Sequence, residues 1–296
     1  MDRRTLWEAG LLGVVQGLTE FLPISSTAHL LLTRQLLGHT SGDDGFTTII
    51  QLGTLVAVFV YFRKDIAQYI LGVWNDIRTR KFGSSRASVM AYLVVLGSLP
   101  VILAGAALNK TIKSKLYDAT SIGIVAIVFA LLMWAAEVWH RTRSEDRKLP
   151  EIPEEKLSWK EALWMGLWQM LALMPGASRS GTTITGGLFA GLDRSAAARF
   201  SFLLSLPAIL GAGVKDIYDQ YKLLKEPDPT KGLSIFASAD DTLTLVLATL
   251  VSGVVGYLSI AWLMNYLKKQ SMMLFVFYRL VLGAALLLLV WRGVLR

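Results

Sequence analysis

Gln16, Glu20, Ser25, Ser26, Thr27 and His29 fall within one stretch, residues 13–30, that is otherwise as apolar as a membrane helix. A second stretch, 166–183, carries Arg179 between Ser178 and Ser180, followed by Gly181, Thr182 and Thr183. Together these side chains suit phosphoryl transfer, for which a protein must supply charge neutralisation, positioning and a nucleophile or base. The planar, permanently charged guanidinium of Arg179 grips an oxyanion in a bidentate fashion, and the adjoining glycine lets backbone N–H groups approach it. Ser26 and His29 stand three apart, a helical spacing that lets an imidazole take a hydroxyl proton or donate one to a leaving oxygen. Glu20 can hold a divalent cation that bridges phosphates, or it can orient His29. The residues leave both roles open.

The elements that must position these groups are two interrupted helices. Gln16 and Glu20, four apart, share one helical face. Pro23 then stops the helix, having no N–H to donate and forcing Leu22 out of helical geometry, so that a new helix begins near Ser25. Free N–H groups and the dipole at that new N-terminus favour an anion. The second stretch repeats the order of helix, proline, hydroxyl cluster and helix: Gly13 and Gln16 match Gly166 and Gln169, and Pro23 matches Pro175. Ser25, Ser26 and Thr27 then lie against Ser178, Arg179 and Ser180. Broken helices at corresponding places in two chain halves point to a binding site where the repeats meet, near the bilayer midplane.

The chain of 296 residues is 53% hydrophobic and 18% charged, with a mean hydropathy of +0.49, beyond what a soluble domain of this length carries. The fold expected is an all-α integral membrane protein with about six transmembrane helices, near 46–63, 88–108, 119–139, 197–214, 242–265 and 272–291. Two re-entrant hairpins, 5–37 and 161–192, complete an inverted repeat. Residues 1–139 form the first repeat, 140–160 a charged linker and 161–296 the second. The echo of Ser98-Leu99-Pro100 in Ser205-Leu206-Pro207 is read as a further mark of that repeat, and residues 63–86 as an amphipathic surface helix. A total absence of cysteine excludes disulfides and thiolate chemistry. The net charge of +8 is spread over loops and suits an anionic bilayer surface better than nucleic acid. No removable leader is read before the first hairpin. Sixteen Lys and Arg gather on the side of 63–88, 140–160, 193–199 and 266–271 against about ten on the other, which places the first set in the cytoplasm and the Glu20 hairpin outside.

Three further groups have a bland reading beside the chemical one. Gln51 inside the helix 46–63 either faces the site or makes one inter-helix hydrogen bond. His39 and His140, in polar turns, read as solvated. Arg279, within the last helix, is either a second anion contact or, the reading favoured, a structural residue that satisfies carbonyls.

On Gln16, Glu20, Ser25-Ser26-Thr27 and His29, and on the run from Pro175 to Thr183, the sequence resembles the undecaprenyl-diphosphate phosphatases of the bacitracin-resistance type. The likeness extends through Gln51 to Gly53, the Ser-Leu-Pro helices and Phe277 to Arg279, and so covers essentially the whole chain. It implies a multi-pass enzyme of the bacterial inner membrane that removes the terminal phosphate of undecaprenyl diphosphate. The monophosphate carrier is then reused in peptidoglycan synthesis, and bacitracin sensitivity falls as a consequence. By that likeness Glu20, Ser26, His29 and Arg179 are catalytic. Gln16, Ser25, Thr27, Gln51, Ser178, Ser180, Gly181, Thr182 and Thr183 bind substrate, and Glu20 with Gln16 holds a divalent cation, Mg2+ or Ca2+. Gln16 stands where many members have Glu, and a neutral amide binds a hard cation more weakly. The site is expected to open to the periplasm. The partners expected are undecaprenyl diphosphate, the lipid bilayer and, as an open option, a second copy in a homodimer, with no nucleic acid. A polyprenyl-phosphate transporter built on the same inverted repeat is the competing function.

Overall fold

The computed structural model describes residues 5–38, 45–145, 151–226 and 239–295. Most of the expected polar turn that starts at His39, part of the charged linker and the middle of the loop 215–241 lie outside the described residues. Among those residues the chain is helical apart from turns and a single parallel bridge that ties Ile152 to Leu192.

Both interruptions fall at the prolines. Helix α1 (Leu6–Phe21) ends where Leu22 turns extended (φ −65°, ψ 138°), the conformation that a following proline imposes, and α2 (Ser26–Leu36) begins three residues after Pro23. Helix α7 (Trp159–Leu171) frays through single-turn hydrogen bonds as far as Met174, and α8 (Arg179–Ala190) starts beyond Pro175. Each restart has the same local device. Ser25 and Ser178 both adopt positive φ, 74° and 68°, and both cap their helix by accepting a hydrogen bond, from Ala28 N–H at 3.4 Å and Gly181 N–H at 3.2 Å. Such a conformation costs a non-glycine residue about 1–3 kcal/mol and persists only where the surroundings enforce it, as they do at ligand sites.

Helix α3 (Gly45–Tyr61) meets the amphipathic α4 (Arg63–Thr79) at a bend of 75°. The long apolar helices are α5 (Arg86–Leu116), α6 (Ala119–Glu145), α9 (Arg194–Lys225), α10 (Ala239–Leu267) and α11 (Met273–Trp291). These five are long and apolar enough to span a bilayer, and α3 with α4 makes up to six. Helices α5 and α9 run past the expected ends at 108 and 214, because the apolar window is followed by Lys-rich segments that are themselves good helix formers.

Helix α1 lies along α10 and α7 lies along α5, while α3 meets α10 as α9 meets α5. The first two contacts need the matched glycines: a Cβ on Gly13 would stand 2.6 Å from the Ala248 carbonyl, and one on Gly166 would run into the backbone of Gly97. Small residues let membrane helices approach this closely. Ser252 of α10 donates to the Ile50 carbonyl at 2.7 Å, as Ser98 of α5 donates to the Leu204 carbonyl at 3.2 Å. By packing, then, α5 corresponds to α10 and α9 to α3. The two Ser-Leu-Pro helices are neighbours packed on each other, not counterparts in the repeat. Phe21, at the end of α1, sits edge-on to Phe202 of α9 with centroids 5.4 Å apart, which seats the first break against the second half of the chain.

Candidate active site

Glu20 lies in the last turn of α1, buried, and its two oxygens receive four donors from three segments of chain. Oε2 accepts from Gln16 Nε2 at 2.9 Å and from Ser26 Oγ at 3.0 Å. Oε1 accepts from Gln51 Nε2 at 2.8 Å and from Arg179 Nη2 at 2.7 Å. The break makes this possible. An unbroken helix would carry Ser26 nearly two turns beyond Glu20, whereas the turn at Leu22–Ser25 folds the start of α2 back onto the end of α1. Arg179 reaches the same carboxylate from the start of α8, so the first residues of the two restarted helices, Ser26 and Arg179, converge on one group.

A cavity of about 230 Å3 opens between the hairpins. Its polar wall is built from Glu20, Ser25, Ser26, Thr27 and Gln51 on one side and from Gln169, Ser178 and Arg179 on the other, and α5 and α9 close it with apolar side chains. Arg179 Nη1 is buried without a partner, beside the Nη2 that holds Glu20. An anion in the cavity would thus find a free guanidinium N–H, the Ser26 hydroxyl and two helix N-termini.

The remaining residues expected at the site have other duties. His29 does not line the cavity and does not pair with Ser26. Its Nδ1 stands 2.7 Å from the Ser25 carbonyl, which can only accept, so Nδ1 carries the proton and Nε2 accepts from Tyr278 Oη at 2.6 Å. The two rings are stacked 5.6 Å apart. Gln16 is used in holding Glu20 and is likewise off the cavity wall. Ser180 donates to the Leu22 carbonyl at 3.2 Å and joins the two breaks. The Gly181 N–H is taken by the cap, and Thr182 and Thr183 donate to the Arg179 carbonyl at 2.9 and 2.7 Å. These three hold the first turn of α8 in shape.

Arg279 is fully buried and donates to three carbonyls: Pro23 at 3.4 Å, Gly176 at 2.9 Å and Ala126 at 3.3 Å. It pins both breaks to α6, which is the structural role. Two residues at the site were not singled out from sequence. Tyr278 comes from α11, 249 positions from its partner His29, and no local pattern announces it. Gln169 had a signal, its match to Gln16.

The sequence model described as "Bacitracin resistance protein BacA" matches residues 9–285. Curated relatives named undecaprenyl-diphosphatase include those of Chlorobium phaeobacteroides strain BS1, 44% identical, and Pelodictyon phaeoclathratiforme, 46% identical, each over 99% of this chain and of its own length. That of Chloroherpeton thalassium is 45% identical over 97% of both. With a match of this extent, in a chain whose two interrupted hairpins meet at Glu20, the protein belongs to the BacA bacitracin-resistance family.

Proposed function

We propose that this chain is an undecaprenyl-diphosphatase: it hydrolyses the terminal phosphate of the lipid diphosphate and returns the monophosphate carrier to peptidoglycan synthesis. Bacitracin resistance follows from removal of the diphosphate. The observation that carries the reading is the convergence of Ser26 and Arg179, the first residues of two helices, on Glu20, with Arg179 Nη1 left without a partner. The relatives' names agree with it.

Of the routes the residues allow, serine attack is the one this geometry favours. The base beside Ser26 is Glu20, at 3.0 Å, and not His29. Ser26 Oγ attacks the terminal phosphorus and its proton passes to Glu20. The bond to the bridging oxygen breaks and undecaprenyl phosphate leaves, while Arg179 Nη1 and the N-termini of α2 and α8 hold the phosphoryl oxygens. Water then attacks the phosphoserine, inorganic phosphate is released, and Ser26 regains a proton. His29, locked in one tautomer by Ser25 and Tyr278, fixes the start of α2.

The donor set suits a divalent cation only in company with the substrate. Among the described residues no three of His, Cys, Asp and Glu gather as ligands. Glu20 is the carboxylate at the cavity, and Mg2+ is commonly held by one or two carboxylates plus substrate phosphates. Bound there, Mg2+ or Ca2+ would draw negative charge from the leaving phosphate. Gln16, expected as a second ligand, turns its amide N–H to Glu20 and fits that role poorly. The positive-inside rule supports a plasma-membrane protein whose cavity opens on the outer face.

The test is phosphate release in detergent from a long-chain polyprenyl diphosphate with Mg2+, followed by acid trapping and mapping of the phosphorylated residue. Detergent abolishes vectorial transport but not hydrolysis, so release separates an enzyme from a transporter. Phosphate on Ser26 is the expected result. Label found only on His29 would sink the serine route, and an absence of release would sink the function.

A further inference from the structure

Gln169 projects from α7 onto the cavity wall and is buried. Its Nε2 points at the Leu204 carbonyl, 3.5 Å away, and because a carbonyl only accepts, this fixes which way round the amide sits. Its Oε1 is then a buried acceptor with no donor. Among the described residues only one other fully buried side-chain atom without a partner belongs to a residue of this cavity, Arg179 Nη1.

The repeat explains why this amide is free. At the matching place in the first hairpin, Gln16 uses its N–H groups to hold Glu20, four residues on. Four residues on from Gln169 stands Leu173, so there is no carboxylate in its own hairpin to hold. Arg179 Nη1 offers what a phosphate oxygen seeks. An amide oxygen offers the reverse: it repels phosphate oxygens and attracts a cation or a hydrogen-bond donor, and hard cations take amide carbonyls readily. We propose that Gln169, through Oε1, is a ligand of the divalent cation that accompanies the diphosphate, in the place expected of Gln16, with the phosphate oxygens completing the hold. This rests on the diphosphatase reading for the identity of the anion.

The experiment is Mn2+ binding to the full-length protein in detergent, followed by the electron-spin resonance of free Mn2+, with a prenyl methylenediphosphonate present that cannot be hydrolysed. Gln169→Leu should weaken Mn2+ by at least the roughly ten-fold that loss of even an outer-shell partner costs, and Gln169→Glu should tighten it. Unchanged Mn2+ affinity in both variants overturns the proposal, even if the KM for lipid rises, since the amide would then serve water or the lipid alone. Should Gln169→Leu fail to fold, Gln169→Glu decides by itself, tightening in support and no change against. Wild-type protein that binds Mn2+ with the analogue through Gln169 yet releases no phosphate from the lipid would remove the diphosphatase reading and leave the cation site standing.

Discussion

Four donors drawn from the first hairpin, α3 and the start of α8 meet on one carboxylate of the cavity wall, and the proposed mechanism turns on that group, Glu20. It is the acceptor for the Ser26 hydroxyl, and Arg179 Nη2 stands 2.7 Å from its other oxygen. Glu20→Gln keeps the shape but removes the base. Phosphate release should fall by about 10²–10⁴-fold, the usual worth of general base catalysis, while binding of the methylenediphosphonate analogue falls far less. A kcat equal to wild type would reduce Glu20 to a spacer. The pairing of Ser26 with Glu20 was only half legible in the sequence. Both residues stood out as polar groups in an apolar run, but helical spacing suggested His29 as the partner of Ser26. Which one wins depends on the direction of the chain between Leu22 and Ser25, and that is set by the unusual backbone of Ser25, for which residue type gives no hint.

At the scale of the element, the hairpins were readable because Pro23 and Pro175 each stand just before a hydroxyl cluster that starts and caps a new helix, whereas Pro100 and Pro207 are carried inside α5 and α9 without ending them. The helix-to-helix correspondence was not readable. Ser98-Leu99-Pro100 and Ser205-Leu206-Pro207 look alike in the sequence, yet they lie on helices that touch each other, and the counterpart of Ser98 is Ser252, which has no such flanks. Two predictions belong here. Ser178→Gly should leave stability within a few tenths of a kcal/mol of wild type, since glycine adopts positive φ freely and is a tolerable cap. Ser178→Ala, which keeps the strain and loses the cap, should cost about 1 kcal/mol or more. Equal unfolding midpoints in detergent would contradict this. Arg279→Met should strand three buried carbonyls, at about 1 kcal/mol or more each. The expected loss of about 3 kcal/mol is to be read from denaturant unfolding, and a variant as stable as wild type would end the idea that Arg279 pins the breaks.

For the whole molecule, the absence of cysteine makes topology directly measurable. A single Lys81→Cys, beyond the end of α4, should react with an impermeant maleimide only after the cytoplasmic face is opened, whereas Tyr117→Cys, between α5 and α6, should react in intact cells. The opposite pattern would turn the protein over and place the Glu20 hairpin inside. The orientation expected here comes from charge bias, which depends on counts and not on contacts. The meeting of the halves depends on contacts. Arg179 and Glu20 are a clasp between residues 159 positions apart, and one partner of that clasp is also the acceptor for the serine proton. On the serine route proposed above, arrival of that proton would neutralise Glu20 and loosen its hold on the guanidinium just as negative charge grows on the phosphoryl group. On that route turnover would unfasten the joint between the two halves and refasten it once phosphate has gone, so that the give needed to admit and discharge a bulky lipid would be timed by the reaction itself.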